Sequence, residues 1–232
     1  MQADIRALCF DIFCTVVDWY GSIAAEVERL GLPVEGGRFA LDWRAGYQPA
    51  MQEVRSGTLP WTNIDGLHRR ILDRLLTAHG LDLPEAEATA LNRIWHRLSP
   101  WPDSVGGLTR MKTKYTIASL SNGNMALLVN MAKNAGLPWD AVLSAELFHH
   151  YKPDPEVYLG AARLLGLAPE QLMMVAAHPS DLRAAARCGL RTAYVARPLE
   201  RGEGGPMEAW NEGEFDLVAE DFGALAQKLG VW

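Results

Sequence analysis

Residues 7–13 read Ala7-Leu8-Cys9-Phe10-Asp11-Ile12-Phe13, a nearly continuous apolar run broken by a single carboxylate at Asp11. Such a run predicts a short strand buried on both faces of a parallel sheet, because a half-solvated strand would alternate apolar with polar. Similar runs recur late in the chain: YTIASL from Tyr115, QLMMVAA from Gln171, RTAYVA from Arg191 and FDLVAE from Phe215. Between them, apolar residues at helical spacing predict helices over 125–135, 155–165, 181–188 and 222–229. Strands alternating with helices imply an α/β fold with an open parallel sheet and right-handed crossovers.

The alternation stops once. Between Val17 and about Pro100 the text is amphipathic and helical, as in IAAEVERLG, GLHRRILDRLLTAHG and EAEATALNRIWHRL, with no buried strand. The expected division is a Rossmann-like core formed by 1–16 and 101–232, and a helical cap over 17–100 inserted after the first strand. The Pro-rich segment Ser99–Ser104 is the expected hinge on the return side. Five of the eight tryptophans (Trp19, Trp43, Trp61, Trp95, Trp101) fall in or beside the insertion, so an apolar cap interior is expected. Residues from Arg201, RGEGGP, read as a surface loop.

Composition narrows the function. The chain has 232 residues, 49% hydrophobic and 22% charged, which are globular values. With 22 Lys+Arg against 28 Asp+Glu, the net charge is -6 and no basic run is present, which disfavours nucleic acid as a partner. The cysteines Cys9, Cys14 and Cys188 are odd in number and lack CxxC spacing, so neither a disulfide framework nor a zinc cage is indicated. A reducing cytoplasm is the expected setting. No apolar stretch approaches the roughly 20 residues of a spanning helix, and no membrane partner is expected.

Open α/β sheets bind ligands at the carboxyl ends of their strands. Those ends carry Asp11, Phe13, Cys14, Thr15 and Asp18 after the first strand, and Ser121, Asn122, Gly123 and Asn124 after YTIASL. Tyr151-Lys152-Pro153-Asp154 precedes the helix at Pro155, and His178, Pro179, Ser180 and Asp181 follow QLMMVAA. A buried Asp11 needs donors, which Lys152, Thr15 and backbone amides can supply. A neighbouring cation would keep it ionised, as a nucleophile must be. The plainer alternatives are an Asp11 that serves only the turn, a solvated Lys152 and an Arg44 spent on a surface ion pair.

Taken in order, FDIFCTVVD, SLSNGN, YKPDPEVY and AAHPSD resemble the four motifs of the haloacid dehalogenase superfamily across the whole chain, and the insertion resembles its helical cap. Phosphatases of that superfamily carry DxD in the first motif, where the second carboxylate protonates a leaving alkoxide. Here Phe13 stands at that position and cannot donate a proton. An alkoxide needs a general acid to depart; chloride or bromide does not. The chain is therefore most similar to the type II (S)-2-haloacid dehalogenases, which use an aromatic residue there and no metal.

That resemblance implies hydrolysis of short 2-haloalkanoic acids to 2-hydroxy acids with inversion, without metal or organic cofactor. Asp11 would attack C2, and water would then open the resulting aspartyl ester. Arg44 would receive the halide together with Asn122, and Ser121 would hold the substrate carboxylate with amides near Phe13 and Cys14. Thr15 would hydrogen-bond the nucleophile, with Lys152, Tyr158 and Asp181 behind it. The expected partners are a small haloacid and halide, and a homodimer is common among relatives. Cys14 departs from the family's usual glycine, Ala176 from its serine and His178 from its asparagine. His178 either orients the hydrolytic water or caps the following helix. A magnesium-dependent phosphohydrolase and a non-catalytic relative are the alternative readings.

Overall fold

A computed structural model describes residues 4–232. The chain enters through β1 (Ala7–Phe10) and the short β2 (Val17–Asp18). Five helices follow: α1 (Trp19–Arg29), α2 (Gly36–Ala45), α3 (Tyr47–Arg55), α4 (Ile64–Ala78) and α5 (Glu85–Asn92). The chain returns through β3 (Ser99–Pro100), α6 (Ser104–Lys112), β4 (Thr116–Ser121), α7 (Met125–Ala135) and β5 (Ala141–Ser144). It closes with α8 (Pro155–Leu164), β6 (Leu172–Ala176), α9 (Pro179–Arg187), β7 (Arg191–Val195), β8 (Leu217–Ala219) and α10 (Phe222–Lys228).

The main sheet is parallel and six-stranded, in the order β5-β4-β1-β6-β7-β8. All four residues of β1 are buried, with Ala7 in register with Thr116 on one side and Leu172 on the other. From β1 the chain builds outward through β4 to β5, then crosses back to β6. The switch in strand order thus falls at β1, and a crevice opens at its carboxyl end. The five expected strands and four expected core helices are all present.

Two core elements lack a clear sequence signal. β5 is an edge strand of four residues whose first two are only half-buried, so it carries no continuous apolar run. Helix α6 contains Gly106 and Gly107, each of which weakens a helix by about 1 kcal/mol relative to alanine. Packing explains the second glycine: a Cβ at Gly107 would stand 2.4 Å from the Phe222 Cβ.

The helical region leaves and rejoins the core through one antiparallel pair, Val17 with Pro100 and Asp18 with Ser99. Asp18 then starts α1 by accepting from Gly21 N at 2.8 Å, and Glu35 starts α2 by accepting from Gly37 N at 2.7 Å. Asn63 caps α4 through Gly66 N at 3.1 Å. Side-chain acceptors at these positions satisfy amides that have no partner inside the helix. Trp19, Trp43 and Trp95 are fully buried here, while Trp61 stacks on Tyr151 with ring centroids 4.7 Å apart. No helix among the described residues is long and apolar enough to cross a membrane.

Candidate active site

A cavity of about 520 Å³ opens at the carboxyl end of β1, and Asp11, Asn122, Lys152, Tyr158, His178 and Asp181 reach it from five segments of the core. Phe13 forms part of the wall, and Arg44 and Tyr47 close it from the helical region. The backbone sets Asp11 in place: its amide donates to Val175 O at 3.0 Å, one residue beyond the end of β1.

Both Asp11 oxygens are engaged. Oδ1 accepts from Lys152 Nζ at 2.9 Å, and Oδ2 accepts from Thr15 Oγ1 at 2.9 Å. Thr15 in turn accepts from Ala177 N at 2.9 Å, which commits its own proton to Asp11. Lys152 Nζ also reaches Asp181 Oδ2 at 2.5 Å, and Tyr158 OH donates to Asp181 Oδ1 at 2.5 Å. Asn122 grips the Lys152 backbone from both ends, accepting from its amide at 2.6 Å and donating to its carbonyl at 3.3 Å.

Burial alone would push the Asp11 carboxyl up, but the Lys152 charge and the His178 hydrogen bond outweigh it and hold the group well below the usual carboxylate range. Burial would likewise drive Lys152 down, yet two facing carboxylates raise it, so it remains an ammonium. Asp181 is raised, first by burial and then by the Asp11 charge, against the opposing pull of Lys152. The pair of carboxylates around one ammonium thus leaves Asp11 the more firmly ionised member.

His178 links this network to Glu200, a residue that no sequence motif singles out. Its Nδ1 lies 3.3 Å from Asp11 Oδ2, and its Nε2 lies 2.9 Å from Glu200 Oε1. The same Glu200 oxygen accepts from Trp19 Nε1 at 3.3 Å. Burial pulls the imidazole down, but hydrogen bonds to Asp11, Cys14 and Glu200 raise it well above its ordinary value. Glu200 is lowered to about 2, its burial overcome by His178. Glu200 follows the carboxyl end of β7, so the strand-end rule that selected the other residues also reaches it. The RPLERGEGG loop nevertheless lacks an apolar frame that would have placed it.

Arg44 projects from α2 with its guanidinium 4.2 Å from the Tyr47 ring centroid and 5.9 Å from that of Phe13. Its Nη1 is buried without a hydrogen-bond partner among the described residues. A buried cationic donor left open toward a cavity is a place for an anion, since desolvation without a partner is costly. Phe13 packs edge-on against Trp95 at 5.5 Å and Tyr47 at 6.5 Å, so the wall facing Asp11 is aromatic.

Three residues of the expected set stand apart from the cavity lining: Thr15, which reaches Asp11 from behind, Ser121 and Cys14. Ser121 is fully buried, and its hydroxyl accepts from Gly123 N at 3.1 Å. Cys14 is buried behind Phe13 with φ at 78°, a left-handed conformation that glycine adopts freely and other residues at a cost of roughly 1–2 kcal/mol. Its carbonyl accepts from Trp101 Nε1 at 2.5 Å and its amide donates to Val17 O at 3.0 Å, which holds the turn. Burial pushes the Cys14 thiol up to about 11, so it is no ready thiolate.

Cys14, His178 and Glu200 bring potential ligand atoms within 4.8 Å of one another. The last two are already spent on each other, and the thiol would have to ionise. A second carboxylate two residues after Asp11, of the kind used in a magnesium site, is replaced by Phe13. The vicinal histidines lie outside the site: His149 stacks on Trp61 at 5.3 Å and His150 faces Asp154 at 3.3 Å.

Solved proteins with this architecture match nearly the whole chain. One is an L-2-haloacid dehalogenase, 46% identical, with a TM-score of 0.94 over 97% of this chain and 99% of that one. Another is a defluorinating L-2-haloacid dehalogenase, 44% identical, with a TM-score of 0.93 over 98% of this chain and 96% of its own. The (S)-2-haloacid dehalogenase of Xanthobacter autotrophicus is 30% identical over 83% of this chain and 76% of its own. A structure from that organism with chloropropionic acid covalently bound has a TM-score of 0.84 at 25% identity, covering 97% of this chain and 98% of that one. A family model described as haloacid dehalogenase-like hydrolase matches residues 5–189, most of the sequence, and the chain belongs to that family.

Proposed function

We propose that the protein is an (S)-2-haloacid dehalogenase that converts short 2-haloalkanoic acids to 2-hydroxy acids with inversion at C2. In the first step an Asp11 oxygen bonds to C2 as the carbon–halogen bond breaks, and the halide leaves with the bonding pair. In the second, water adds to the Asp11 carboxyl carbon, the bond from that carbon to the ester oxygen breaks, and the hydroxy acid departs.

The observation that carries this reading is an ionised, buried Asp11 facing a cavity, with Phe13 where a phosphatase needs its acid. A water-poor aromatic wall keeps the nucleophile unhydrated, and Lys152 offsets its charge without taking its place in the attack. Arg44 and Asn122 receive the halide. The turn through Phe13 and Cys14 positions the substrate carboxylate, and Ser121 supports the site from behind by holding the Gly123 amide. Tyr158 and Asp181 hold Lys152, and Thr15 orients the nucleophile. Residues 17–100 act as a cap over a core of 1–16 and 101–232, and supply Arg44 to the site. The three free cysteines fit the reducing cytoplasm, and a homodimer is the assembly proposed from the family resemblance.

Chloride release from (S)-2-chloropropionate and fluoride release from fluoroacetate, each with and without EDTA, are the direct assays. Chelator-insensitive halide release is expected from the parent chain, and none from Asp11→Asn. Phosphate-ester turnover that requires magnesium would instead point to a phosphohydrolase, and inactivity in every assay to a non-catalytic relative. A single turnover in oxygen-18 water should leave the label in the Asp11 side chain, read by peptide mass.

A further inference from the structure

We propose that Glu200 and His178 form a dyad that carries out the ester-hydrolysis half of the reaction, with His178 as the base toward water and Glu200 as its positioning residue. This rests on the dehalogenase reading and adds to it a separate apparatus for the second step.

Elimination leads to His178. Once Asp11 is esterified, a base must take a proton from the attacking water. Lys152 is an ammonium between two carboxylates and has no lone pair to offer. Asp181 has one oxygen on Lys152 and the other on Tyr158, both at 2.5 Å. Thr15 accepts from Ala177 N and donates to Asp11. Among the groups bonded to Asp11, His178 is the one whose neutral form offers a ring nitrogen to water, and esterification removes the facing Asp11 charge that holds its proton.

Its surroundings suit that task. Asp11 faces Nδ1, Glu200 faces Nε2, and the protonated Cys14 thiol packs against the ring; Tyr194 of β7 acts at longer range. Arg44 and Arg201 act on Glu200. In the resting enzyme the imidazolium sits between two carboxylates. Alkylation cancels the charge on Asp11, so His178 loses one of its two anionic partners and its proton passes to solvent as the halide leaves. Glu200 then fixes the neutral ring with Nε2 protonated and Nδ1 bare toward the ester.

The protons balance over the cycle. His178 takes one from water as the water oxygen bonds to the Asp11 carboxyl carbon. On collapse the departing alkoxide takes that proton from His178 and becomes the hydroxy acid. Asp11, left as a carboxylic acid, returns its proton to His178 and restores the ion pair. One haloacid and one water give one hydroxy acid, one halide and one proton.

The test is Glu200→Gln, which keeps the shape and removes the charge, followed by rapid quench with excess enzyme and peptide mass of the segment carrying Asp11. A halide burst within about threefold of the parent is expected, together with ester breakdown slowed about 10- to 100-fold. Loss of the carboxylate lowers the imidazolium's proton affinity, so the rising limb of ester hydrolysis should move to lower pH. His178→Gln should trap the ester more completely. Ester breakdown at the parent rate with the parent pH profile would overturn the dyad. So would a burst slowed as much as the breakdown, which would assign Glu200 to assembling the nucleophile. A parent chain that releases no halide would overturn the dehalogenase reading itself, and the dyad's role with it.

Discussion

At Phe13 one side chain decides which leaving group the site can serve, because the ring removes a proton donor and adds an edge-on contact to Trp95 in the same substitution. Asp11, Lys152, Thr15 and Asp181 are legible in the sequence because each stands at a strand end or a helix start where open sheets place ligands, whereas Tyr158, inside α8, is reached only through the family resemblance. Glu200 also follows a strand end, that of β7, but the loop carrying it has no apolar frame to set its direction, and its pairing with His178 spans 22 positions of sequence. His178 gives a stability prediction with a definite sign. Its folded proton affinity lies above the ordinary 6.5, so its ion pairs contribute fully below that pH and fade as pH rises through the folded value. The melting-temperature deficit of His178→Gln should therefore be largest near pH 6 and shrink toward pH 9; a deficit constant across that range would refute the charged pairing.

The elements that meet at the return from the helical region are joined by one guanidinium. Arg197, just beyond β7, donates to Asp103 at 2.8 and 2.9 Å and to the Thr15 carbonyl at 2.9 Å. Asp103 also accepts from Phe222 N at 2.8 Å, at the start of α10, and the Arg197 plane lies 4.8 Å from the Phe222 ring centroid. Arg197 is buried and Asp103 half-buried, so removing the guanidinium leaves a partly desolvated carboxylate without its bidentate partner, at a cost of about 2 kcal/mol. Arg197→Met should lower the urea midpoint accordingly, and a loss below about 1 kcal/mol would show that the pair is only a solvated surface contact. None of this was readable beforehand, because Arg197 and Asp103 are distant in sequence and neither belongs to a recognisable motif. Helices α2 and α3 likewise have no clear boundary in the sequence, in part because α2 opens on two glycines. Gly36 is there for contact, since a Cβ would stand 2.6 Å from the Ala24 carbonyl oxygen of α1.

Across the whole molecule, the apolar interior does not stop where the helical region begins. One buried cluster runs from Leu8 and Phe10 of β1 through Phe13, Trp19 and Trp43 to Leu72 and Trp95, while a second covers the other face of the sheet around Tyr158, Leu182 and Tyr194. The chain crosses between the two regions only twice, at β2 and β3, so connectivity alone would allow the cap to open or melt separately. Packing argues otherwise: an aromatic seam shared by both regions ties the burial of each to the presence of the other. Tryptophan fluorescence reports in large part on the seam, which holds Trp19, Trp43 and Trp95, three of the eight tryptophans, fully buried, whereas far-ultraviolet dichroism samples every helix. If the seam couples the regions, the two probes should give coincident urea transitions, as one cooperative unit requires. A fluorescence midpoint well below the dichroism midpoint would mean that the cap releases first, and that water can reach Asp11 while the sheet stays folded. Such a gap would place the exclusion of solvent in a weakly held lid, and halide release should then decline with the fluorescence transition and not with the later one.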